Sequence, residues 1–528
     1  MASLFVLLVH NLSSTVTLRP IGDFLPTYKE YVGNAAKEWR CPGVSVAIFA
    51  DGKVYFVNYG TPLVGSGDHI TEDSIFCILS CSKIVTVILL QQFVDEGKIS
   101  LEDRVIDHLP WFRLQDEKST AEVKVKHLIS HCIGLPAFCG DTFSHFDFSA
   151  KEVIDAISTI PLKYPVGKKY GYQNVFVGIA GMLIEKVTGR TLKELMLEKI
   201  FQRLEMSHSS VGPHYAGIWD KIVQFFKRDA RHMSIASGHQ VVNGEVASSN
   251  ATYHYVFSGT SGVNSTTSDY IKLVACLVNK GIIEFGAQKG QRLFSTRAWE
   301  TISSPQIVIG NVKDSNFQFP VDRMNKKSFA YGNGMFCLEY GEGEKFVQIL
   351  SHMGAGSGWR SFWGVDTERR VGIVIFSNLG SISTSLLPEA LGYKFFDMCF
   401  GFPEKDWSAI IKKKQMRIQK MYETQYERYV LAPSLKSTYL RGMYRNSLYG
   451  EIKVVEKNGS LAVEYRGNCA KLEHVGGTLF SVKSYDLTPN YSDDEHCTIH
   501  FSSDNNGHVS GLHVSLIRDG SDFFERVS

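Results

Sequence analysis

Apolar and polar positions alternate in two neighbouring segments near the start of the chain. Residues 43–49 and 54–58 are rich in β-branched and aromatic side chains, and Asp51 and Gly52 lie between them. An Asp-Gly pair between two such segments is typical of a β-hairpin, because these residues tolerate the positive φ of a tight turn. We predict an antiparallel sheet that begins with this hairpin. The same kind of segment returns late in the first part of the chain, at residues 346–350, 360–365 and 371–376.

Two long apolar segments between these strands have helical spacing. From Ser82 to about Glu96 apolar side chains cover nearly the whole helix circumference, and a glycine follows as the C-cap. From Val175 to Val187 apolar residues again recur at helical spacing. Both patterns predict helices buried in the core, so we assign this part of the chain to the α+β class.

The pattern changes after residue 400. Residues 401–432 are dominated by lysine, arginine and glutamate, and we interpret them as a charged linker helix. Beyond them, short alternating segments and the Asn458–Gly459 turn predict strands. The predicted organisation is an N-terminal leader or extension over 1–24, a main domain over 25–400, the linker helix over 401–432, and a small all-β, barrel-like domain over 433–528.

The overall charge is balanced. Fifty-six basic and 54 acidic residues leave a net charge of +2 in a chain of 528 residues that is 44% hydrophobic. Such a balance creates no field that attracts nucleic acid. The apolar runs are also shorter than the roughly 18 residues that a membrane helix needs. We therefore expect no nucleic-acid partner and no transmembrane anchor.

Signals for the cellular compartment are weak. Leu4 to Val9 is an apolar run that is short for a signal peptide and lacks a preceding positive charge, so we interpret it as a remnant of one at most. Five Asn-x-Ser/Thr sequons would be glycosylated if the protein is secreted by a eukaryote. A secreted or extracytoplasmic location is narrowly favoured over a cytoplasmic one. The sequons are at Asn11, Asn250, Asn264, Asn458 and Asn490.

The spacing of cysteine and histidine does not predict a metal site. The ten cysteines are dispersed and include no Cys-x-x-Cys pair, so we interpret them as buried free thiols. His127 and His131 are four residues apart and could share a metal, but the glutamate of the zinc-protease helix is missing between them. We expect structural roles for both histidines.

Ser80 and Lys83 form the most informative pair in the chain. They lie three residues apart at the start of a predicted helix and therefore project from the same face. A serine hydroxyl becomes a strong nucleophile only when a neighbouring base takes its proton. Burial and the positive end of the helix dipole both favour the neutral amine that such a base requires. Cys81 is a second candidate nucleophile, but its motif contains no histidine, and we interpret it as a packing residue.

Two further motifs follow in order along the chain. Tyr172 and Asn174 lie in the loop before the second core helix, where Tyr172 can carry a proton and Asn174 either caps the helix or belongs to a site. His352, Gly354 and Ala355 lie at the end of a predicted strand. A glycine there lets a substrate approach the backbone, and the next amide can point at a developing oxyanion. The order and spacing of the three motifs predict one common site.

The three motifs resemble those of the serine β-lactamase and penicillin-binding protein superfamily, in particular its class C and esterase-like branch. The similarity covers about residues 25–400 and includes the segments 42–46, 128–136, 262–269 and 377–378. The C-terminal part resembles the β domain that is often appended to such hydrolases. The resemblance implies a β-lactamase/transpeptidase-like fold, in which an antiparallel sheet is flanked by helices and accompanied by a helical subdomain.

The resemblance also implies roles for the motif residues. Ser80 would be the nucleophile, Lys83 its base and Tyr172 the proton relay to the leaving group. Neither a metal nor an organic cofactor would be required. The remaining residues would bind substrate: Asn174 beside Lys83 and the substrate amide, the N–H groups of Ser80 and Ala355 as the oxyanion hole, and His352 and Gly354 along the sheet side of the cleft.

His352 stands where the β-lactamases usually have lysine. Lysine is a permanent cation that attracts a substrate carboxylate, whereas histidine is only partly charged at neutral pH. This difference favours an esterase, D-aminopeptidase or carboxypeptidase over a β-lactamase. We predict a serine hydrolase that cleaves an ester or amide bond of a small molecule or peptide through an acyl-Ser80 intermediate. The alternative is a weak or inactive family member that acts as a self-assembling scaffold through its C-terminal domain and charged helix.

Overall fold

Two large antiparallel sheets organise the chain, one on each side of residue 400. The computed structural model describes residues 16–146, 148–212, 234–242, 245–248, 256–309, 329–380, 385–431, 435–487, 497–517 and 521–527. The apolar run from Leu4 to Val9 and the sequons at Asn11, Asn250 and Asn490 lie outside these residues. Within the described ranges, no helix combines the length and apolar character that crossing a membrane requires.

An eight-stranded sheet forms the centre of the first part, with the strand order β2-β1-β13-β12-β11-β10-β9-β8 in the numbering given below. The predicted hairpin β1-β2 turns at Asp51, with φ of 50°, and Gly52, with φ of 74°. Its first strand pairs with the last strand of this part, which confirms a sheet that begins early and resumes late. The strands are β1 Gly43–Ala50, β2 Lys53–Gly60, β3 Phe76–Cys77, β4 Ser210–Val211, β5 His239–Val242, β6 Glu245–Ser248, β7 Val263–Ser265, β8 Ile307–Val308, β9 Ala330–Tyr331, β10 Phe336–Glu342, β11 Lys345–Gly356, β12 Trp359–Asp366 and β13 Val371–Ser377.

Helices cover both faces of this sheet. The helices are α1 Ile21–Glu38, α2 Lys83–Asp95, α3 Val105–His108, α4 Glu117–Glu122, α5 Val125–Ile129, α6 Ala150–Ile157, α7 Asn174–Thr188, α8 Leu192–Met196, α9 Ser258–Ser261, α10 Thr267–Val278, α11 Thr296–Ser303 and α12 Leu387–Phe400. Strand β1 is buried along its whole length, because its alternate side chains enter two different cores. Val46 packs in the core that includes α1 and α12, whereas Ala47 packs in the core that includes α2, α7 and α10.

The two predicted core helices are present with slightly different ends. Helix α2 begins at Lys83, because Leu79–Ser82 form a separate 3₁₀ turn before it. Helix α7 begins at Asn174, and its N-cap is Gln173, whose backbone is still extended. The interpretation of Asn174 as the N-cap is therefore wrong by one residue, since Asn174 already has helical geometry.

Helix α1 crosses the boundary at residue 24 that the sequence predicts for an N-terminal extension. Phe24 and Tyr28 of this helix are both buried, and Tyr28 donates a hydrogen bond to the Leu391 carbonyl of α12 at 3.1 Å. The aromatic ring of Phe395 packs between them, with centroid distances of 6.1 and 5.7 Å. We therefore propose that the main domain begins at the start of this helix.

The rest of the chain consists of a long helix and a barrel-like sheet. Helix α13 Trp407–Val430 lies within the predicted linker and is capped by Asp406, which accepts a hydrogen bond from Ala409 N. Trp407 Nε1 donates to Asp397 Oδ2 at 2.7 Å and so anchors the helix to α12. Then follow α14 Ser437–Leu440, β14 Gly442–Asn446, β15 Gly450–Lys457, β16 Ser460–Tyr465, β17 Asn468–Lys471, β18 Glu473–Gly476, β19 Leu479–Val482, α15 Ser484–Leu487, β20 Cys497–Ser503, β21 Val509–Val514 and β22 Phe523–Arg526.

The nine C-terminal strands follow one another in the order β17-β16-β15-β14-β22-β21-β20-β19-β18. Every neighbouring pair of this sheet with a described register is antiparallel. Side chains from across the sheet, among them Tyr444, Val463 and Phe501, are buried together in a filled core. This arrangement confirms the predicted all-β, barrel-like fold of the C-terminal part.

Candidate active site

Ser80 lies on a tight turn directly before helix α2. Leu79 has φ of 54°, a value that a branched residue adopts only when surrounding contacts hold it there. Two hydrogen bonds fix the turn on either side: Ser361 Oγ donates to the Ile78 carbonyl at 2.7 Å, and Tyr270 donates to the Cys81 carbonyl at 2.8 Å. The sequence places Ser80 at the start of the helix, and the structure moves it one turn earlier. Its side chain remains on the same side as that of Lys83.

Two polar atoms flank the hydroxyl oxygen of Ser80. Lys83 Nζ lies 2.8 Å from Ser80 Oγ, and the Tyr172 hydroxyl donates to the same oxygen at 3.0 Å. Lys83 and Tyr172 are also close to each other, because Nζ lies 5.0 Å from the centroid of the tyrosine ring. The structure thus brings together Ser80, Lys83 and Tyr172, which the sequence predicts to be nucleophile, base and relay.

Burial favours the neutral form of Lys83. Its side chain has no solvent exposure. This desolvation lowers the pKa of Lys83 from 10.5 to about 7, although the Asp141 carboxylate acts in the opposite direction. A neutral amine has two N–H groups and one lone pair. Asn174 Oδ1 at 2.7 Å and the Thr260 carbonyl at 3.3 Å can accept the two N–H groups, which leaves the lone pair for Ser80.

Asn174 connects Lys83 to a carboxylate that the sequence reasoning missed. The Asn174 amide nitrogen donates to Asp141 Oδ2 at 2.5 Å, and its oxygen faces Lys83. Thr260 Oγ1 donates to the Asn174 carbonyl at 2.7 Å. Neither Asp141 nor Thr260 belongs to a motif, and they reach the site only through the packing of distant segments.

The segment from His352 to Ala355 lies inside strand β11, close to its end at Gly356. On one side it pairs with β12, in the register that places Gly354 opposite Ser361. On the other side the pairing with β10 stops at Ser351. Among the described strand registers, the backbone beyond Ser351 is therefore paired along one edge only.

Gly354 allows the strand to approach the Ser80 turn. A Cβ atom at this position would lie 2.5 Å from the Ile78 carbonyl oxygen and 2.9 Å from Leu79 Cβ, both of which are clashes. Ala355 follows it and is partly exposed. A glycine is therefore required at this position for steric reasons, because it lets strand β11 lie directly against Ile78 and Leu79 of the turn that carries Ser80.

His352 is buried in a chain of hydrogen bonds that the sequence does not reveal. Its Nδ1 lies 2.7 Å from the Met353 carbonyl and therefore carries the proton. Its Nε2 lies 3.0 Å from the Tyr331 hydroxyl, which is also 3.2 Å from His131 Nε2. Gln173 N donates to His131 Nδ1 at 3.2 Å, so the His131 proton is on Nε2. One consistent assignment follows, in which His131 donates to Tyr331 and Tyr331 donates to His352.

Both histidines are neutral at physiological pH. Burial, together with the nearby charge of Lys83, lowers the pKa of His352 from 6.5 to about 3. The same two causes, with a further contribution from His352, lower the pKa of His131 well below its usual value. Position 352 therefore carries no positive charge, a stronger statement than the partial charge that the sequence predicts.

Among the described hydrogen bonds, none joins Ser80 to the other titratable side chains singled out in the sequence. The Cys81 thiol is buried beside Ser361 Oγ at 3.2 Å, and burial raises its pKa to about 12. All ten cysteines are free, and only Cys469 is exposed. His127 accepts a hydrogen bond from Lys124 N at 3.1 Å and does not share a partner with His131. The sequon at Asn264 lies in β7 and is buried.

Two family models match the chain. A model described as Beta-lactamase matches residues 29–385. A second, described as a Domain of unknown function (DUF3471), matches residues 428–526. The two matched regions correspond to the parts built on the eight-stranded and the nine-stranded sheet.

Among curated proteins, Penicillin-binding protein 4 of Amycolatopsis lactamdurans is 31% identical over 180 residues, which cover 34% of this chain and 47% of that protein. The match thus spans about half the length of this relative. Unguisins hydrolase ungD of Aspergillus violaceofuscus (strain CBS 115571) is 23% identical over 500 residues, which cover 87% of this chain and 82% of that protein.

Solved structures share the fold at low identity. The octameric penicillin-binding protein homologue from Pyrococcus abyssi has a TM-score of 0.59 at 17% identity and covers 95% of this chain and 99% of its own. D-amino acid amidase from Ochrobactrum anthropi SV3, complexed with D-phenylalanine, has a TM-score of 0.55 at 20% identity and covers 74% of this chain and 99% of its own. These similarities confirm the fold that the sequence predicts.

Proposed function

The chain belongs to the β-lactamase family of serine hydrolases, and from this premise we propose that it cleaves an ester or amide bond through an acyl intermediate on Ser80. The observation that carries the proposal is the placement of Ser80 Oγ between Lys83 Nζ at 2.8 Å and the Tyr172 hydroxyl at 3.0 Å. A nucleophile, a base near neutrality and a proton donor within hydrogen-bond distance are what covalent acyl transfer requires.

In the first step, Ser80 Oγ attacks the carbonyl carbon of the substrate while its proton passes to Lys83 Nζ. The new C–O bond converts the carbonyl oxygen into an oxyanion. Tyr172 gives its hydroxyl proton to the leaving oxygen or nitrogen as the bond to that atom breaks. The acyl group remains on Ser80, and the Tyr172 phenolate is balanced by the Lys83 ammonium.

The oxyanion is assigned to the backbone N–H groups of Ser80 and Ala355. Support comes from Gly354, whose contacts with Ile78 and Leu79 bring strand β11 against the Ser80 turn. Preorganised donors of this kind each contribute about 3–4 kcal/mol to the stability of the transition state.

In the second step, the Tyr172 phenolate takes a proton from a water molecule, which attacks the acyl carbon. The bond to Ser80 Oγ then breaks, and Ser80 recovers its proton from Lys83. The carboxylic acid product leaves, and all three side chains return to their starting protonation states. Asn174 holds the Lys83 amine throughout, through the contact of 2.7 Å between Asn174 Oδ1 and Lys83 Nζ.

The environment of His352 bears on the substrate class. A neutral imidazole whose Nε2 is occupied by Tyr331 at 3.0 Å cannot attract a carboxylate as a lysine would. We therefore assign the site to esters, or to amides of D-amino acids or peptides, in which the group beside the scissile bond and near His352 is uncharged. β-Lactams, which carry a carboxylate beside the scissile ring, are expected to acylate Ser80 slowly.

Acylation of Ser80 can be measured directly. Wild-type protein is incubated with a fluorophosphonate, and the intact mass and the modified peptide are determined; we expect one adduct, on Ser80. Ser80→Ala should give none, and Ser209→Ala, which changes a buried serine in a different hydrogen-bond network, should label as wild type does. A folded wild-type protein that remains unlabelled at Ser80 rules out the proposal.

The substrate class needs a second experiment. Rates are compared for short-chain esters, D-amino-acid amides and a chromogenic cephalosporin on wild type and Ser80→Ala. The uncharged esters or amides should react faster than the cephalosporin, and Ser80→Ala should abolish turnover. Preferential cleavage of the cephalosporin would overturn the substrate assignment while leaving acyl transfer intact.

Self-association is a separate proposal, supported by the octameric assembly named for the Pyrococcus abyssi homologue of the same fold. Light scattering on the full chain measures its mass against the monomer value of 59.1 kDa. A monomer at all concentrations up to those used in enzyme assays would exclude a stable assembly.

A further inference from the structure

Asp141 is the outermost member of a chain of contacts that ends at Ser80. Its Oδ2 accepts the Asn174 amide proton at 2.5 Å, Asn174 Oδ1 faces Lys83 Nζ at 2.7 Å, and Nζ faces Ser80 Oγ at 2.8 Å. Because an amide nitrogen can only donate, the carboxylate fixes which end of Asn174 points at Lys83. Without it, either end of the amide could face the lysine.

The loop before Asp141 wraps around the segment that carries Tyr172 and Asn174. Phe138 N donates to the Tyr172 carbonyl at 2.6 Å, and Gln173 Nε2 donates to the Pro136 carbonyl at 3.2 Å. Gly140 has φ of 87°, and a Cβ there would lie 2.9 Å from Val175 Cγ2. The loop is therefore seated tightly on the start of α7, with Asp141 directed at Asn174.

The segment after Asp141 is held by the C-terminal barrel. Phe143 stacks on Tyr449 with ring centroids 4.4 Å apart and an interplanar angle of 20°, and Phe146 meets Tyr465 edge to face at 4.9 Å. All four rings are almost fully buried. Thr142 Oγ1, next to Asp141, donates to the Leu516 carbonyl of the barrel at 3.4 Å. The barrel thus contacts Thr142, Phe143 and Phe146, three of the five residues that follow Asp141.

Arg466 closes the same interface at its rim. It lies in the turn between β16 and β17, with its guanidinium carbon 3.8 Å above the ring of Phe148. Its Nη2 also pairs with Glu152 Oε1 at 3.0 Å. Glu152 in turn caps helix α6 by accepting a hydrogen bond from Ser149 N at 2.8 Å. A single barrel residue therefore bridges both ends of the segment 148–152.

We propose that Asp141 is a positioning residue of the active site, and that the C-terminal barrel acts on the reaction by holding the segment that carries Asp141. The inference rests on the proposed function, because it presupposes that Lys83 activates Ser80. It assigns to the barrel a part in catalysis although no barrel residue touches Ser80, Lys83 or Tyr172 among the contacts described.

The charge of Asp141 provides a specific readout. Of the groups facing Lys83, the two histidines and the Cys81 thiol are neutral near pH 7. The Tyr172 hydroxyl keeps its proton, which it donates to Ser80. The Asp141 carboxylate raises the pKa of Lys83 against the effect of burial. Removing this charge should therefore extend activity toward lower pH. The groups that face Lys83 come from five parts of the chain: His131 from the loop after α5, His352 from β11, Cys81 from the 3₁₀ turn, Tyr172 from the segment before α7 and Asp141 from its loop.

Asp141→Asn separates the charge from the hydrogen bond, because the new side chain can still accept from Asn174. The rate of Ser80 labelling by the fluorophosphonate is followed from pH 5 to pH 10. We expect the acid limb, the part of the profile in which the rate falls as pH falls, to move to lower pH by about one unit. Asp141→Ala should move it likewise and also lower the plateau rate, since Asn174 loses its partner. Asp155→Asn removes an exposed carboxylate of α6 and should leave the limb in place.

The contribution of the barrel is tested on the full chain with Arg466→Ala. Loosening the segment should lower the plateau rate several-fold and shift the acid limb in the direction of Asp141→Asn. The acid limb of the double variant should coincide with that of Asp141→Asn alone, because both changes shift the limb through the same carboxylate, and its plateau should be lowered as in Arg466→Ala. Arg445→Ala removes an exposed barrel arginine that pairs with Glu451 within the barrel, and it serves as the control.

The outcomes distinguish this inference from the proposed function. If wild type is not labelled at Ser80, both fail. If wild type is labelled but Asp141→Asn keeps the wild-type limb, only the role of Asp141 fails. Additive shifts of the acid limb in the double variant of Asp141→Asn and Arg466→Ala overturn the role of the barrel. An Arg466→Ala limb and plateau equal to those of Arg445→Ala overturn it as well. Tyr449→Leu, checked for folding by circular dichroism, repeats this last test with a larger change at the interface.

Discussion

Two buried basic side chains, Lys83 on the helical side of the site and His352 on the sheet side, lie near Tyr172 and differ in how readily they take up a proton. Neither has appreciable solvent exposure. Burial lowers the pKa of Lys83 to about 7 but that of His352 to about 3. Lys83 can therefore gain and lose a proton near neutral pH, whereas His352 stays neutral.

The difference arises from the partners of each side chain. The hydrogen bonds of Lys83 leave its lone pair directed at Ser80, and Asp141 offsets part of the cost of burying its charge. The hydrogen bonds of His352 end at the Met353 carbonyl and the Tyr331 hydroxyl and leave nothing for a substrate. Burial alone therefore does not make a base; the direction of the remaining lone pair decides.

The largest effect is expected from Lys83→Met, which keeps the length of the side chain and removes the amine. A general base contributes about 100-fold to 10,000-fold to the rate, and we expect a loss in this range for the acylation of Ser80. Stopped-flow or mass-resolved labelling measures it. His352→Gln is the matched change on the sheet side and should cost far less. Equal losses in both variants would show that Lys83 and His352 contribute equally to the rate of acylation and would contradict the difference between them.

The pH profile should follow Lys83 and not His352. Below a pH of about 7 Lys83 is protonated and cannot accept the Ser80 proton, so the rate falls as pH falls. The expected slope is about tenfold per pH unit, or about 100-fold between pH 7 and pH 5. A neutral ester with no titratable group is the appropriate substrate. A flat profile over this range would contradict the assignment of Lys83 as the base.

The same pKa has a consequence for stability. The folded-state pKa of Lys83 lies below its unfolded value of about 10.4. At pH values between these two pKa values, the unfolded chain binds a proton that the folded chain does not. The contribution of Lys83 to the free energy of unfolding therefore increases as pH rises from about 7 toward 10 and decreases as pH falls. Denaturant unfolding should show this slope in wild type and a reduced slope in Lys83→Met. An identical slope in both proteins would argue against the lowered pKa.

The sequence could predict those parts of the fold and site that depend on local pattern. The hairpin at Asp51, the two core helices and the barrel-like C-terminal part follow from periodicity and turn residues. Ser80, Lys83, Tyr172 and Asn174 were recognisable because they lie in short motifs of fixed spacing, and the structure brings them together.

What the sequence could not predict depends on packing between distant segments. Asp141 reaches Asn174 because Gly140 fits against Val175, a contact that no spacing reveals. Tyr331 and His131 are 200 residues apart and share a hydrogen bond. The neutrality of His352 follows from these partners and from burial, so the residue type alone suggested only a partial charge.

A smaller effect is expected from Tyr331→Phe, which opens the hydrogen-bond chain on the sheet side. The change leaves His131 Nε2–H and His352 Nε2 unpaired in a buried place, at a cost of about 1–3 kcal/mol in the free energy of unfolding. Urea denaturation measures the cost. Tyr340→Phe is the control for folding effects. It removes another buried tyrosine hydroxyl, which donates a hydrogen bond to Asp397 and does not belong to the hydrogen bonds that link His131, Tyr331 and His352. The acid limb of the pH profile should still follow the pKa of Lys83 in Tyr331→Phe. A second titration near the ordinary histidine pKa of about 6.5 would show that His352 gains a proton in this range.

The smallest effect is expected from Cys81→Ala, which removes a third buried titratable side chain next to Ser80 in the sequence. The Cys81 thiol lies 3.2 Å from Ser361 Oγ, and burial raises its pKa to about 12, so it is a neutral thiol at the pH of the reaction. Ser361 keeps its hydrogen bond to the Ile78 carbonyl in the variant, which preserves the turn that carries Ser80. Labelling of Ser80 should therefore stay within a few-fold of the wild-type rate, and the adduct should remain on the same residue. Loss of labelling in a folded Cys81→Ala protein would mean that a neutral, fully buried group takes part in the reaction. The lone pair that faces Ser80 would then not explain why Lys83 differs from its buried neighbours.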